Sequence, residues 1–185
     1  MIRKCLESEL GTIYEIINDS SIAYKDRIPA DRWKEPYMSM EELQQQIKDG
    51  VMFYCLEDDL KILGVMGIQD RKDVNLIRHA YVRTDARRKV VGGQLLRYLQ
   101  KDQEKPILIG TWADAVWAIE FYRREARFPC GGARRAKTAV KEILDHSGKT
   151  GGDFCRSGKW KVWCEVDYAM VRKRYSLYDI LKKMV

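Results

Sequence analysis

The chain contains only two histidines, His79 and His146, and none of its five cysteines pairs with another in a C-x-x-C spacing. Zinc sites are built mainly from these residue types at short spacings, so no metal is expected and the thiols read as reduced and idle. Long apolar runs are also missing: none approaches the roughly 20 residues of a membrane span, so no membrane partner is expected. The opening MIRKCLESELGTIYEI lacks the charged-then-apolar layout of a secretory leader, so the cytoplasm is the expected location. Repeats and low-complexity linkers do not occur in residues 1–125. What is present is 45% apolar and 33% charged residues over 185 positions, enough for one domain with a sizeable core.

Acidic residues are scarce in one part only. Residues 1–125 hold 20 Lys and Arg against 21 Asp and Glu, whereas residues 126–185 hold 14 against 6. The whole net charge of +7 therefore lies in the last third. That segment is either a basic tail or a tail that selection never shaped. It carries no aromatic–basic stripe and no recognition helix, so nucleic acid is not the expected partner.

Hydrophobic spacing places the elements. MIRKCL predicts a short strand. Leu10, Ile13, Ile16 and Ile17 recur at helical spacing, and the loop YKDRIPADRWKEPYM follows. Ser39 with Glu42 predicts a capping box for a second helix that Gly50 stops. VMFYCLE, an Asp58-Asp59 turn, KILGVMGIQ and VNLIRHAYV read as three meandering strands. GGQLLRYLQK is a helix, PILIGTW a buried strand and DAVWAIEFYRR a helix with Asp114 as its cap. Strand, two helices, three strands, helix, strand, helix make an α/β layered domain. Beyond Arg124 the pattern fades, although KWKVWCEVDYAM alternates enough to occupy a sheet edge.

Chemistry is concentrated in AYVRTDARRKVVGGQLL. A strand ends at Val82, a basic turn follows, and glycines open a helix. Backbone N–H groups and the positive end of a helix dipole then point at an anion, with Arg87, Arg88 and Lys89 adding charge. Taken alone, the same residues also suit a packed turn with solvated arginines.

With this order of elements, the chain resembles the GNAT superfamily of N-acetyltransferases over residues 1–124. The superfamily's acetyl-CoA signature, Q/R-x-x-G-x-G/A, falls five residues after a strand valine; here Arg87 follows Val82 by five. A later landmark of the superfamily, an aromatic-Tyr pair closing on Gly-Phe, begins here with Phe121-Tyr122. The resemblance implies a mixed, mostly antiparallel sheet with helices on both faces and acetyl-CoA as cosubstrate. It also implies transfer of an acetyl group to a primary amine of a small molecule or peptide, without metal. Amides of Arg87, Arg88, Lys89, Val90, Val91, Gly92 and Gly93 would hold the pyrophosphate. Those near Tyr81 and Val82 would polarise the acetyl oxygen, and the Tyr122 phenol would protonate the leaving thiolate.

Two departures stand out. Val90 replaces the signature glycine, where a β-branched side chain would crowd the pyrophosphate and resist glycine's backbone angles, weakening CoA binding without abolishing it. The Gly-Phe closure is absent after Glu125. Read one nucleotide further along, residues 126–156 can spell H-G-F and end on V-E-T-S-V-V. Residues 1–125 thus form the acetyl-CoA-binding domain, and residues 126–185 are a divergent basic tail, out of frame and poorly specified, with the superfamily's C-terminal strands missing or replaced. A catalytically dead CoA-binding remnant is the alternative reading. Asp31, Trp33, Glu35 and Tyr37 are candidates for the acceptor pocket. His79 is a candidate base, although an ordinary strand histidine fits it as well.

Overall fold

The apolar stripe of the first helix sets the core. In the computed structural model, α1 (Leu10–Ser21) buries Ile13, Ile16 and Ile17, and α2 (Met40–Lys48) buries Leu43. The structure describes residues 1–125 except 29, 72–73, 88–89, 102, 106 and 113, the side chains of Asp31 and Val74 also excepted, together with the backbone of 160–165. At the start of α2 the Ser39 hydroxyl accepts from the Glu42 amide at 3.1 Å, which is half of the expected capping box. The Glu42 carboxylate is taken by Lys34 Nζ at 2.6 Å.

Strands β1 (Ile2–Lys4), β2 (Val51–Asp58), β3 (Lys61–Arg71) and β4 (Val74–Val82) are neighbours in that order. β1 and β2 pair antiparallel with Arg3 opposite Cys55, and β2 and β3 with Tyr54 opposite Met66. Asp58 pairs with Lys61, so the hairpin turn is Asp59-Leu60, one residue later than the sequence suggests. Both turn residues have positive φ, 45° and 63°, the combination that matches the twist of the flanking strands. α3 (Val91–Gln100) follows β4.

The chain divides into two bodies. The first, Met1–Gln69 with Ile77–Lys101, has helices on both faces of its sheet. On one face, α1 and α2 pack their isoleucines and Leu43 against Val51, Phe53, Cys55 and Val65. On the other, Tyr54 meets Tyr98 of α3 with ring centres 5.9 Å apart. Gly64 of β3 explains how closely α3 approaches: a Cβ there would stand 2.9 Å from Val91 Cγ1.

The second body comprises Asp70–Leu76 and Asp102–Val185. Its strand β5 (Ile107–Trp112) pairs antiparallel along its length with β6 (Trp160–Glu165), Ile109 opposite Trp163. The alternating tail segment thus does occupy a strand edge. α4 (Val116–Glu125) buries Ala118, Ile119 and Tyr122. At its start the Asp114 carbonyl accepts from Val116 N–H at 2.9 Å, a backbone contact where a side-chain cap was expected. Lys105 Nζ clasps both carboxylate oxygens of Asp70 at 2.5 and 2.6 Å. The departure from the Gly-Phe closure after Glu125, and the tail apart from residues 160–165, lie outside the described residues. Among the described residues, no helix is long and apolar enough to cross a membrane.

Candidate functional site

Two elements meet at the glycine-rich turn. β4 ends at Val82, a short 3-10 turn spans Thr84–Ala86, and α3 starts at Val91. Val90 at the N-cap offers no capping side chain, so among the described residues the first-turn amides of Val91, Gly92 and Gly93 have neither an intrahelical partner nor a capping oxygen. Val91 and Gly93 are buried, and Val90 is 67% exposed. Val90 has φ −69° and ψ 12°, angles within reach of any residue. The expected backbone resistance of valine at this position therefore does not arise; only its bulk remains. Arg88 and Lys89 lie outside the described residues.

The carboxyl end of α1 braces this turn, which the sequence did not reveal. Ser20 Oγ donates to the Val82 carbonyl at 2.7 Å. Asp19 Oδ2 accepts from both the amide and the hydroxyl of Thr84, each at 2.9 Å. Arg87 Nη2 donates to the Ser20 carbonyl at 3.0 Å, and a helix's last carbonyls are a favourable place for a cation. One arm of the arginine expected to face an anion is thus engaged in holding the loop.

Strand alternation then assigns the amides. Arg83 N–H bonds to the Leu63 carbonyl of β3 at 2.8 Å, so the preceding Val82 N–H is directed away from β3 and the Tyr81 N–H towards it. Of the two amides expected to polarise an acyl oxygen, Val82 is the one not directed at β3.

His79 interrupts β4. Its φ is 52°, the left-handed region, in which histidine is one of the more tolerant residues. The carbonyls of Arg78 and Tyr81 both lie 3.0 Å from where a Cβ on Gly67 or Gly64 of β3 would sit. Carbonyls three residues apart face the same neighbour only if regular alternation breaks between them, as it does at His79. Regular alternation therefore does not run unbroken through His79. The ring stacks between Phe53 at 5.7 Å and Tyr81 at 6.4 Å, and its Nε2 meets Gln46 Oε1 of α2. Burial first, and Arg78 second, push its pKa down to about 3, so the ring is neutral near pH 7.

From His79 an aromatic chain leads outward. Tyr81 meets Tyr24 edge-on at 6.5 Å, Tyr24 stacks on Tyr37 at 6.1 Å, and Tyr37 meets Trp33 at 5.6 Å. Glu35 Oε1 accepts from Lys25 Nζ at 2.7 Å and Trp33 Nε1 at 3.1 Å. Lys25 chiefly, then Trp33, hold the Glu35 carboxyl below its usual range. The structure thus gathers Trp33, Glu35 and Tyr37 and joins them through Tyr24, which the sequence did not single out, to the end of β4. Asp31 lies in the 3-10 turn Ala30–Arg32 of the same loop. In the second body, Tyr122 is a buried residue of α4, its ring edge-on to Phe121 at 5.0 Å.

Comparison with known proteins is consistent with this architecture. Residues 18–124 match the family model of the acetyltransferase (GNAT) domain. Among solved structures, a ribosomal-protein-alanine N-acetyltransferase from Brucella melitensis superposes with TM-score 0.53 at 20% identity, covering 67% of this chain and 82% of its own. PaiA N-acetyltransferase from Thermoplasma acidophilum, in complex with coenzyme A, gives 0.54 at 19% identity over 67% and 87%. YncA, a putative acetyltransferase from Salmonella typhimurium with acetyl-CoA, gives 0.51 at 17% identity over 67% and 76%. A search of curated proteins finds no match.

Proposed function

The chain belongs to the GNAT acetyltransferase family, and from that premise we propose that it transfers an acetyl group from acetyl-CoA to a primary amine of a small molecule or peptide. The observation that carries the reading is the start of α3, without a side-chain cap among the described residues, reached from β4 by a turn that Asp19 and Ser20 brace. Amides of Val91, Gly92 and Gly93 suit the pyrophosphate oxygens, since each donates to an anion without losing another partner. The two glycines place no Cβ in the way, whereas the exposed Val90 side chain narrows the approach.

Acetyl-CoA supplies an activated acyl group and a thiol leaving group. The Val82 N–H, directed away from β3, donates to the acyl oxygen, a role that needs no particular side chain. The Tyr122 hydroxyl shares its proton with the departing sulfur, since a phenol of pKa about 10 lies close enough to a thiol of about 8.5. Trp33, Tyr37 and Tyr24 form an acceptor wall, and Glu35, kept anionic by Lys25 and Trp33, attracts a cationic amine rather than removing its proton. His79 is neutral but has its Nε2 on Gln46, so positioning of β4 suits it better than general base catalysis.

The family match ends at residue 124, which supports a domain limit near residue 125 with the basic tail beyond it. Incubating the protein with acetyl-CoA and a panel of amines tests the reading. Thioester consumption that requires an amine supports transfer. Thermal stabilisation by CoA without turnover instead supports a CoA-binding remnant, and neither effect refutes both.

A further inference from the structure

Cys5 and Cys55 are far apart in sequence, yet the pairing of β1 with β2 makes them diagonal neighbours. Arg3 stands opposite Cys55, and Cys5 N–H donates to the Phe53 carbonyl at 2.9 Å. Glu9, which ends the 3-10 turn Glu7–Glu9, returns over the same spot. One ligand atom from each of Cys5, Glu9 and Cys55 lies within 4.8 Å of the other two. We propose that these three residues bind a thiophilic divalent cation of the zinc or cadmium kind, with water completing the coordination.

Two sulfurs and one carboxylate oxygen are a donor set that such ions accept. Glu9 is already oriented: Arg3 Nη2 donates to Oε1 at 2.6 Å, while Arg3 Nη1 and Leu6 N–H donate to Oε2 at 2.9 and 2.7 Å. A carboxylate has about four acceptor positions, so Oε1 retains one for a metal, and the arginine becomes the outer support that fixes it. Nor does Arg3 repel the ion on balance, because Glu57 Oε2 also takes its Nε at 2.7 Å. With both thiols protonated, one arginine and two carboxylates leave one net negative charge. Exchanging two S–H protons for one divalent cation forms two metal–sulfur bonds, releases two protons and leaves that charge unchanged. Thiols ligate as thiolates, so binding releases their protons and tightens as pH rises. Cys5 and Glu9 are half-buried and provide access, while Cys55 lies in the core. The ion would tie the first strand to the sheet.

The test uses the full chain carrying Cys130→Ser, Cys155→Ser and Cys164→Ser, titrated with cadmium alone while thiolate-to-metal absorption and proton release are followed. One ion per chain, two protons released, loss of the band in Cys5→Ser or Cys55→Ser, and affinity about 10–100-fold weaker in Glu9→Gln are expected. No band in the starting protein, or an unchanged band after Cys5→Ser, overturns the proposal. Cys5→Ser, at the half-buried position, carries the test if Cys55→Ser does not fold. Coenzyme A affinity is measured in parallel, and its outcome bears on the acetyltransferase reading alone.

Discussion

Replacing Gly64 by alanine probes the contact between β3 and the start of α3. The new Cβ would stand 2.9 Å from Val91 Cγ1, 3.0 Å from the Tyr81 carbonyl oxygen and 3.2 Å from Val82 Cγ2. The first distance is about 0.6 Å short of the closest comfortable carbon–carbon separation of about 3.5 Å. Val91 can yield, but the Tyr81 oxygen is backbone and cannot rotate away. Overpacking of this kind costs about 1–3 kcal/mol, and alanine's lower chain entropy offsets about 0.5–1. A net loss of about 1–2 kcal/mol is therefore expected in urea unfolding. Because relief comes by moving Val91, the amides at the start of α3 move with it, and coenzyme A affinity should fall about tenfold for each 1.4 kcal/mol so spent. Two controls separate these effects. Gly67→Ala is equally crowded, 2.9 Å from Val51 Cγ1 and 3.0 Å from the Arg78 oxygen, but on the face away from α3, so it should lose stability and keep its affinity. Gly11→Ala meets nothing within 4 Å in α1 and should gain up to about 1 kcal/mol. A Gly64→Ala protein as stable as the parent, or equal affinity losses at Gly64 and Gly67, refutes the reasoning.

Tyr122→Phe should lower kcat about 10²–10⁴-fold with little change in the KM for acetyl-CoA, measured by thiol release; an unaltered kcat removes the proposed acid. Val90→Gly should tighten coenzyme A binding in calorimetry, and equal affinity would show that the valine obstructs nothing. Trp33→Ala and Glu35→Gln should raise KM for a cationic amine several-fold while leaving that for acetyl-CoA unchanged, provided this loop forms the acceptor wall. His79 has a folded pKa of about 3, below its unfolded value near 6.5, so the unfolded chain binds more protons between them. Stability from this site should be present above about pH 6.5 and decline, by on the order of a few kcal/mol, as pH falls towards 3. His79→Asn, which tolerates the same φ, should flatten that stretch of the unfolding profile.

The meander of strands and the three amphipathic helices of the first body were legible because their cores obey simple periods: Ile13, Ile16 and Ile17 along a helix, and Val51, Phe53 and Cys55 along a strand. The Asp59-Leu60 turn was misplaced by one residue because leucine is a poor signal for positive φ. The glycine-rich start of α3 was visible as a motif, but its bracing was not. Asp19 and Ser20 lie more than sixty residues from the atoms they hold, and nothing local distinguishes them from other polar residues on α1. Tyr24 escaped notice for the same reason: its value lies in touching Tyr37 and Tyr81 at once. At His79, one residue of left-handed backbone resets the alternation of a strand without marking the sequence.

The aromatic chain also gives the protein a built-in optical reporter. Trp33 is the single tryptophan in residues 1–111, with Tyr37 and Tyr24 next in line as excitation donors and a carboxylate on its indole nitrogen. An amine that displaces Lys25 from Glu35 changes the electric field on that indole directly. On the proposed acceptor wall, emission from Trp33 would therefore register docking before any acetyl group has moved.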